Sequence, residues 1–139
     1  MSEKYRITET QIKARSTGKS YSRGEAYFAE HNIFDAVQRG NRIEAKCSGS
    51  EYYPYHVWAE LDTNDIVAAG CNCQYDWGGD CKHIIALLLS YIHEPEIFGN
   101  LSSIAELLES QSKSDLIEII EEMIRLHPDL MTVVERATF

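Results

Sequence analysis

An α+β domain, built on a small antiparallel sheet of three to four strands flanked by helices and followed by a C-terminal helical segment, is the fold class this sequence predicts. Three observations lead there. Residues 33–71 break into short runs of alternating apolar and polar residues separated by turn signals. Helix-period patterns with capping signals lie on both sides of those runs. Three of the four cysteines and one histidine gather where the last strand gives way to the most apolar helix.

The first helix is expected over Ile7–Ala14, where Thr8 caps and Gln11 completes a capping box. A turn at Ser16-Thr17-Gly18-Lys19 follows. A second helix spans Tyr21–His31, with Ser20 and Ser22 as candidate caps and Ser22 with Glu25 as the box pair. Tyr21, Gly24, Tyr27 and Phe28 share a face, and Gly24 is expected to admit the sheet closely.

Ile33–Arg39 and Arg42–Ser50 read as strands joined by the tight turn Gly40-Asn41. Ile43, Ala45 and Cys47 point one way and Glu44 and Lys46 the other, so Cys47 is a buried small apolar residue. Pro54 sits at the start of a third strand, Tyr55–Leu61, whose Tyr55, Val57, Ala59 and Leu61 face inward while His56 and Trp58 face out. After the turn Asp62–Asp65, a fourth strand, Ile66–Gly70, delivers Cys71. Such short connections favour an antiparallel meander.

Cys71-Asn72-Cys73 and Cys81-Lys82-His83 flank a connection containing Gly78 and Gly79. Three soft thiolates and an imidazole complete a tetrahedral shell for one structural Zn2+, with no position left for a substrate. Alternate residues at a strand exit share a side, so Cys71 and Cys73 aim at one ion. Cys81 is expected just before the helix and His83 on its first turn, because their spacing does not fit a regular helix face. The helix N-terminus and Lys82 favour the thiolates. From His83 the helix buries Ile84, Leu87, Leu88 and Tyr91 and stops near Pro95. An iron–sulfur centre and an unmetallated thiol cluster are the alternative uses of this set. His31, His56, His93 and His127 have no companions at ligand spacing.

At these residues the chain resembles the SWIM zinc-finger family, matching its Cys-x-Cys…Cys-x-His pattern at Cys71, Cys73, Cys81 and His83. The resemblance extends to the Cys-Lys-His-Ile start of the helix, to Arg23-Gly24…Tyr27-Phe28 and to Gly49-Ser50, and the chain looks like the bacterial and archaeal members. It implies a beta-beta-alpha zinc module that binds DNA or other proteins. Members include transposase-related proteins, chromatin-type helicases and factors acting with recombinases. On this reading residues 1–95 form the zinc-binding domain with its N-terminal helix and sheet.

Residues 101–139 are expected to form a helical hairpin packed on that domain, after a linker at Phe98-Gly99-Asn100. Capping signals stand at Ser103–Glu106 and Ser112–Asp115. Leu116, Ile120, Met123 and Ile124 make an apolar stripe, Glu121 is set to pair with Arg125, and Pro128 opens a further helical turn. Packing on the core, self-association into a homo-oligomer and docking of another protein are the three uses open to such a stripe.

Charge separates the functional readings. The chain carries a formal net charge of -9, distributed unevenly. Residues 1–50 hold nine basic and six acidic residues, residues 51–100 one and eight, and residues 101–139 three and eight. The leading expectation is therefore a zinc-stabilised protein-interaction module, in a DNA-processing assembly by the family resemblance. Direct DNA or RNA binding through Lys13, Arg15, Lys19, Arg23, Arg39, Arg42, Lys46 and Lys82 is the alternative. A purely structural domain of a larger complex is the third. No enzyme is expected: Ser16–Ser20 ends like a phosphate loop but lacks its upstream glycine and strand, and Cys81 and His83 are claimed by the metal. The longest apolar run, Ile84–Leu89, is far short of a membrane span. No signal-peptide core stands at Met1–Tyr5, and a cytoplasmic location, or a nuclear one in a eukaryote, is expected.

Overall fold

The computed structural model describes residues 5–75 and 78–138. Asp76 and Trp77 of the ligand-bearing connection lie outside the described residues. The chain divides into two compact units, Met1–Ser103 and Ile104–Phe139.

The first unit runs α1 (Glu9–Ala14), α2 (Ser20–Ala29), β1 (Ile33–Arg39), β2 (Arg42–Cys47), β3 (Tyr55–Asp62), β4 (Asp65–Cys71), α3 (Lys82–His93) and β5 (Gly99–Asn100). The sheet order is β4-β3-β2-β1-β5. The first four strands form the expected antiparallel meander, with two-residue hairpin loops closed by Arg39↔Arg42 and Asp62↔Asp65. Gly40, at φ +57°, supplies the left-handed backbone of the first loop.

Two features make this sheet larger and less regular than expected. β5 pairs parallel to β1 through Val37↔Gly99 and Gln38↔Asn100, so the sheet is mixed and five-stranded. Its two residues have no alternation to read; they were expected as linker, and the free edge of β1 recruits them. Buried Phe98, edge-on to Tyr91 at 5.4 Å, anchors the segment. The register of β1 also shifts between Phe34 and Val37, where Asp35 adopts φ +51°. That bulge turns Ile33, Ala36 and Gln38 inward.

The inner face of the sheet carries Ile43, Ala45, Cys47, Val57, Ala59 and Leu61, all buried. His56 and Trp58 lie on the other face, as the alternation requires. Helix α3 covers the inner face, and α1 and α2 pack on α3 in turn. The expectation of one apolar stripe therefore understates α3: every residue from His83 to Tyr91 is buried. A helix apolar all round must be covered all round. Gly24 serves this layer rather than the sheet. A Cβ there would stand 2.4 Å from Ile85 Cγ2, so α2 rests directly on α3.

Capping follows the sequence in part. Thr8 and Gln11 make the full reciprocal box on α1. The box expected at Ser22 and Glu25 does not form, because α2 begins earlier, at Ser20, and Ser22 Oγ donates to Lys19 O instead.

The second unit holds most of α4 (Leu101–Glu109), then α5 (Lys113–Leu126) and α6 (Met131–Ala137). Ser112 caps α5 by accepting from Asp115 N. Asn100, not Ser103, caps the start of α4: its side-chain oxygen accepts from Ser103 N. Pairing of Asn100 in β5 puts it at that end. Arg125 pairs with Glu122 rather than Glu121. No residue of α4, α5 or α6 is buried. No helix among the described residues is long and apolar enough to cross a membrane.

Candidate metal centre

β4 and α3 bring four ligand atoms together. Cys71 ends β4 opposite Val57. Asn72 keeps the chain on the sheet, because its side-chain oxygen accepts from His56 N at 2.9 Å. Cys73 follows with its sulfur on the same side. At the other end Cys81 is the N-cap of α3, extended at φ -73° and ψ 168°, with His83 in the first turn.

The Sγ atoms of Cys71, Cys73 and Cys81 and one ring nitrogen of His83 lie within 4.8 Å of one another. His83 Nδ1 is 3.6 Å from Cys71 Sγ and 3.7 Å from Cys81 Sγ. Metal–ligand bonds of ~2.3 Å to sulfur and ~2.0 Å to nitrogen give a tetrahedron with S···N edges of roughly 3.5 Å. The separations and the soft donor set fit a tetrahedral ion. Among the described residues this is the single cluster of metal-ligating side chains. Cys47 is fully buried in the sheet, its thiol pushed up to about 12 chiefly by burial.

The cluster's protons are unevenly held. Cys81 is drawn down to about 4, first by the hydrogen bond from Cys71, against the opposing effect of burial and with help from His83 and the Ile84 N–H. Cys71 moves up because it gives that hydrogen bond and is partly buried; burial raises Cys73. The helix N-terminus and the neighbouring donors thus favour the thiolate form at Cys81, and a metal must displace the thiol protons of the cluster to bind.

Neighbouring residues fix these ligands. The His83 ring lies against Tyr55, with centroids 4.3 Å apart, and meets Tyr27 edge-on at 5.3 Å. Gly49 makes room, since a Cβ there would stand 2.5 Å from the Tyr55 ring. Buried His83 Nε2 has no hydrogen-bond partner among the described residues. On the other side Arg15 grips Asp80, the residue before Cys81: Nε donates to Oδ2 at 2.7 Å and Nη2 to Oδ1 at 3.3 Å. The Asp80 N–H returns a bond to Arg15 O at 2.9 Å. Tyr75 Oη meets Thr17 Oγ1, Ser20 Oγ and Gly78 O within 3.2 Å. The contacts of Asp80 with Arg15 and of Tyr75 with Thr17 and Ser20 carried no sequence signal, because these partners lie 55 or more residues apart along the chain.

The eight basic candidates divide. Arg15 is committed to Asp80. On the open face of the sheet Arg42 pairs with Glu60 and Glu44 and lies 4.3 Å over Trp58, and Lys46 pairs with Asp35. Arg39 is exposed at the end of β1, and Lys13 lies over Tyr21. Lys19, Arg23 and Lys82 border a cleft beside the metal cluster and make no ion pair among the described residues.

A family model described as the SWIM zinc finger matches residues 55–92. That segment carries all four ligands from the start of β3 almost to the end of α3, and it leaves α1, α2 and residues 104–139 outside. No curated protein and no solved structure matches the chain.

Proposed function

We propose that the chain is a zinc-stabilised protein-interaction module whose helical second unit docks a partner protein, within a DNA-processing assembly. One Zn2+ held by Cys71, Cys73, Cys81 and His83 ties the last meander strand to the helix that covers the sheet. The ion supplies folding energy and no reaction, since four protein ligands close its shell.

The observation carrying the interaction reading is the second unit's surface. Leu107, Ile117, Ile120, Met123, Leu126 and Met131 are each at least 43% exposed, in helices that bury nothing. Apolar side chains in such number on amphipathic helices support a docking surface. The net -5 of residues 101–139 opposes a second copy as the occupant, because like charges would face one another.

The test is affinity capture by the full zinc-loaded chain, with cross-links mapped by mass spectrometry, compared with the triple variant L107D/I120D/M123D. A partner cross-linked to α5 and lost in the variant is expected. Capture unchanged by the variant, or a stable homodimer by light scattering, would overturn the reading.

A further inference from the structure

In a chain with nine more acidic than basic residues, three cations stand together with no carboxylate paired to them among the described residues. Lys19, Arg23 and Lys82 border two adjoining lobes that share Ser20, Arg23 and Tyr75. The outer lobe, with Lys19, Thr17 and Gly18, encloses about 420 Å3, within the range of small-ligand sites. The inner lobe reaches Cys73, Cys81 and His83. Lys82 Nζ is held 4.9 Å over the Tyr27 ring, and the hydroxyls of Thr17, Ser20 and Tyr75 form a hydrogen-bonded cluster in the same cleft.

Charge decides what such a cleft takes. A Cys3His zinc unit carries about one net negative charge, so the metal centre offsets one of the three cations. What remains is close to the charge of about -1.5 to -2 on a phosphate monoester. A nucleic-acid backbone needs a track of cations, whereas among the described residues Arg15, Arg42 and Lys46 are engaged with carboxylates, and residues 51–100 carry eight acids against one base. A single phosphate needs only the local cluster.

We propose that this cleft binds a phosphate monoester on a side chain of a partner protein, with Arg23, Lys19 and Lys82 as its cationic contacts. The assignment rests on the interaction-module reading for the existence of a partner and names that partner's chemistry.

The experiment uses the zinc-loaded full chain and a short labelled peptide in which one phosphoserine between glycines and alanines is the only charged side chain. Fluorescence anisotropy is expected to show at least about tenfold preference over the serine peptide, the scale of charge-assisted contacts to phosphate. Lys19→Gln is expected to remove most of that preference, and Lys46→Gln, on the sheet, to change affinity less than about twofold. Arg23→Gln is read alongside measured zinc content, and Lys19, farther from the ligands, keeps the test decisive if Arg23→Gln loses metal. Equal binding of the two peptides overturns the proposal. So does competition by inorganic phosphate as strong as by the peptide, which would mark a free-anion site. Tighter, steeply salt-dependent displacement by a single-stranded oligonucleotide would assign the cations to nucleic acid. Loss of phosphopeptide preference with helix-dependent capture intact would remove this site alone and leave the docking reading standing.

Discussion

Helix α3 is apolar on nearly every side and buried from His83 to Tyr91, while α5 sets one apolar stripe among charged residues and buries nothing. The helices differ in composition and in cover. α3 has the sheet on one side, α1 and α2 on the other, and the ligand cluster at its N-terminus. In α5, Ile117, Ile120 and Met123 are exposed. In the first unit an apolar side chain contributes to the core; in the second it is exposed, and the proposed docking role rests on that exposure. Periodicity reports that a face is apolar and leaves open what covers it.

The largest break in this contrast is expected from the metal. Cys73→Ser, or chelation, should abolish stoichiometric zinc and cost several kcal/mol, unfolding the first unit as read by near-UV circular dichroism. A stable, folded, zinc-loaded Cys73→Ser protein would sink the metal-centre reading.

Acidification acts on the same clasp through protons. Cys71 and Cys73 are raised above the ordinary thiol value, so both are protonated near neutrality, while Cys81 at about 4 is already ionised. Binding zinc must release at least two thiol protons, and each contributes a factor of about ten per pH unit. Zinc affinity should therefore fall by at least about a hundredfold for each pH unit lost between roughly pH 8 and 7, as measured by competition with a chromophoric chelator. A flat profile would mean that the thiols are already ionised without metal.

Core truncation compares the two helices directly. Leu88→Ala should destabilise by ~2–5 kcal/mol in urea, as expected of a fully buried leucine. Leu107→Ala, at a site 65% exposed, should stay within ~0.5 kcal/mol. Equal losses would erase the distinction drawn between the units.

Gly24→Ala should cost ~1–3 kcal/mol, since its methyl collides with Ile85 and forces α2 off α3. Arg15→Ala should cost about 1–2 kcal/mol. The pair it breaks is bidentate to buried Asp80, but Arg15 is itself nearly a third exposed, so solvent screens part of the interaction. Slower zinc uptake should accompany it, because Asp80 leads directly into Cys81.

Much of this was legible in the residues. The meander follows from strict alternation in Arg42–Cys47 and Tyr55–Leu61, where a one-residue slip would turn every apolar side chain to water. The ligand set follows from cysteine and histidine spacing, and the placement of Cys81 before the helix from its poor fit to a helical face. β5 was not legible, because two residues supply no period and their pairing is imposed by the edge of β1. The bulge at Asp35, the α2–α3 contact at Gly24 and the grip of Arg15 on Asp80 were equally silent.

By itself, then, the sequence determined the local matters: which segments alternate, which carry a helical stripe, and which four side chains can share an ion. These depend on neighbours within a few residues, where backbone geometry alone sets who faces whom. The tertiary structure decided that Arg15 belongs to Asp80, that the Tyr55 and Tyr27 rings enclose the His83 imidazole, and that Lys19, Arg23 and Lys82 meet in one cleft. Apart from Lys19 and Arg23, neighbours at one helix start, those groups join residues from 28 to 65 positions apart, and no pattern in one dimension encodes a contact that exists only after the sheet and helices have packed.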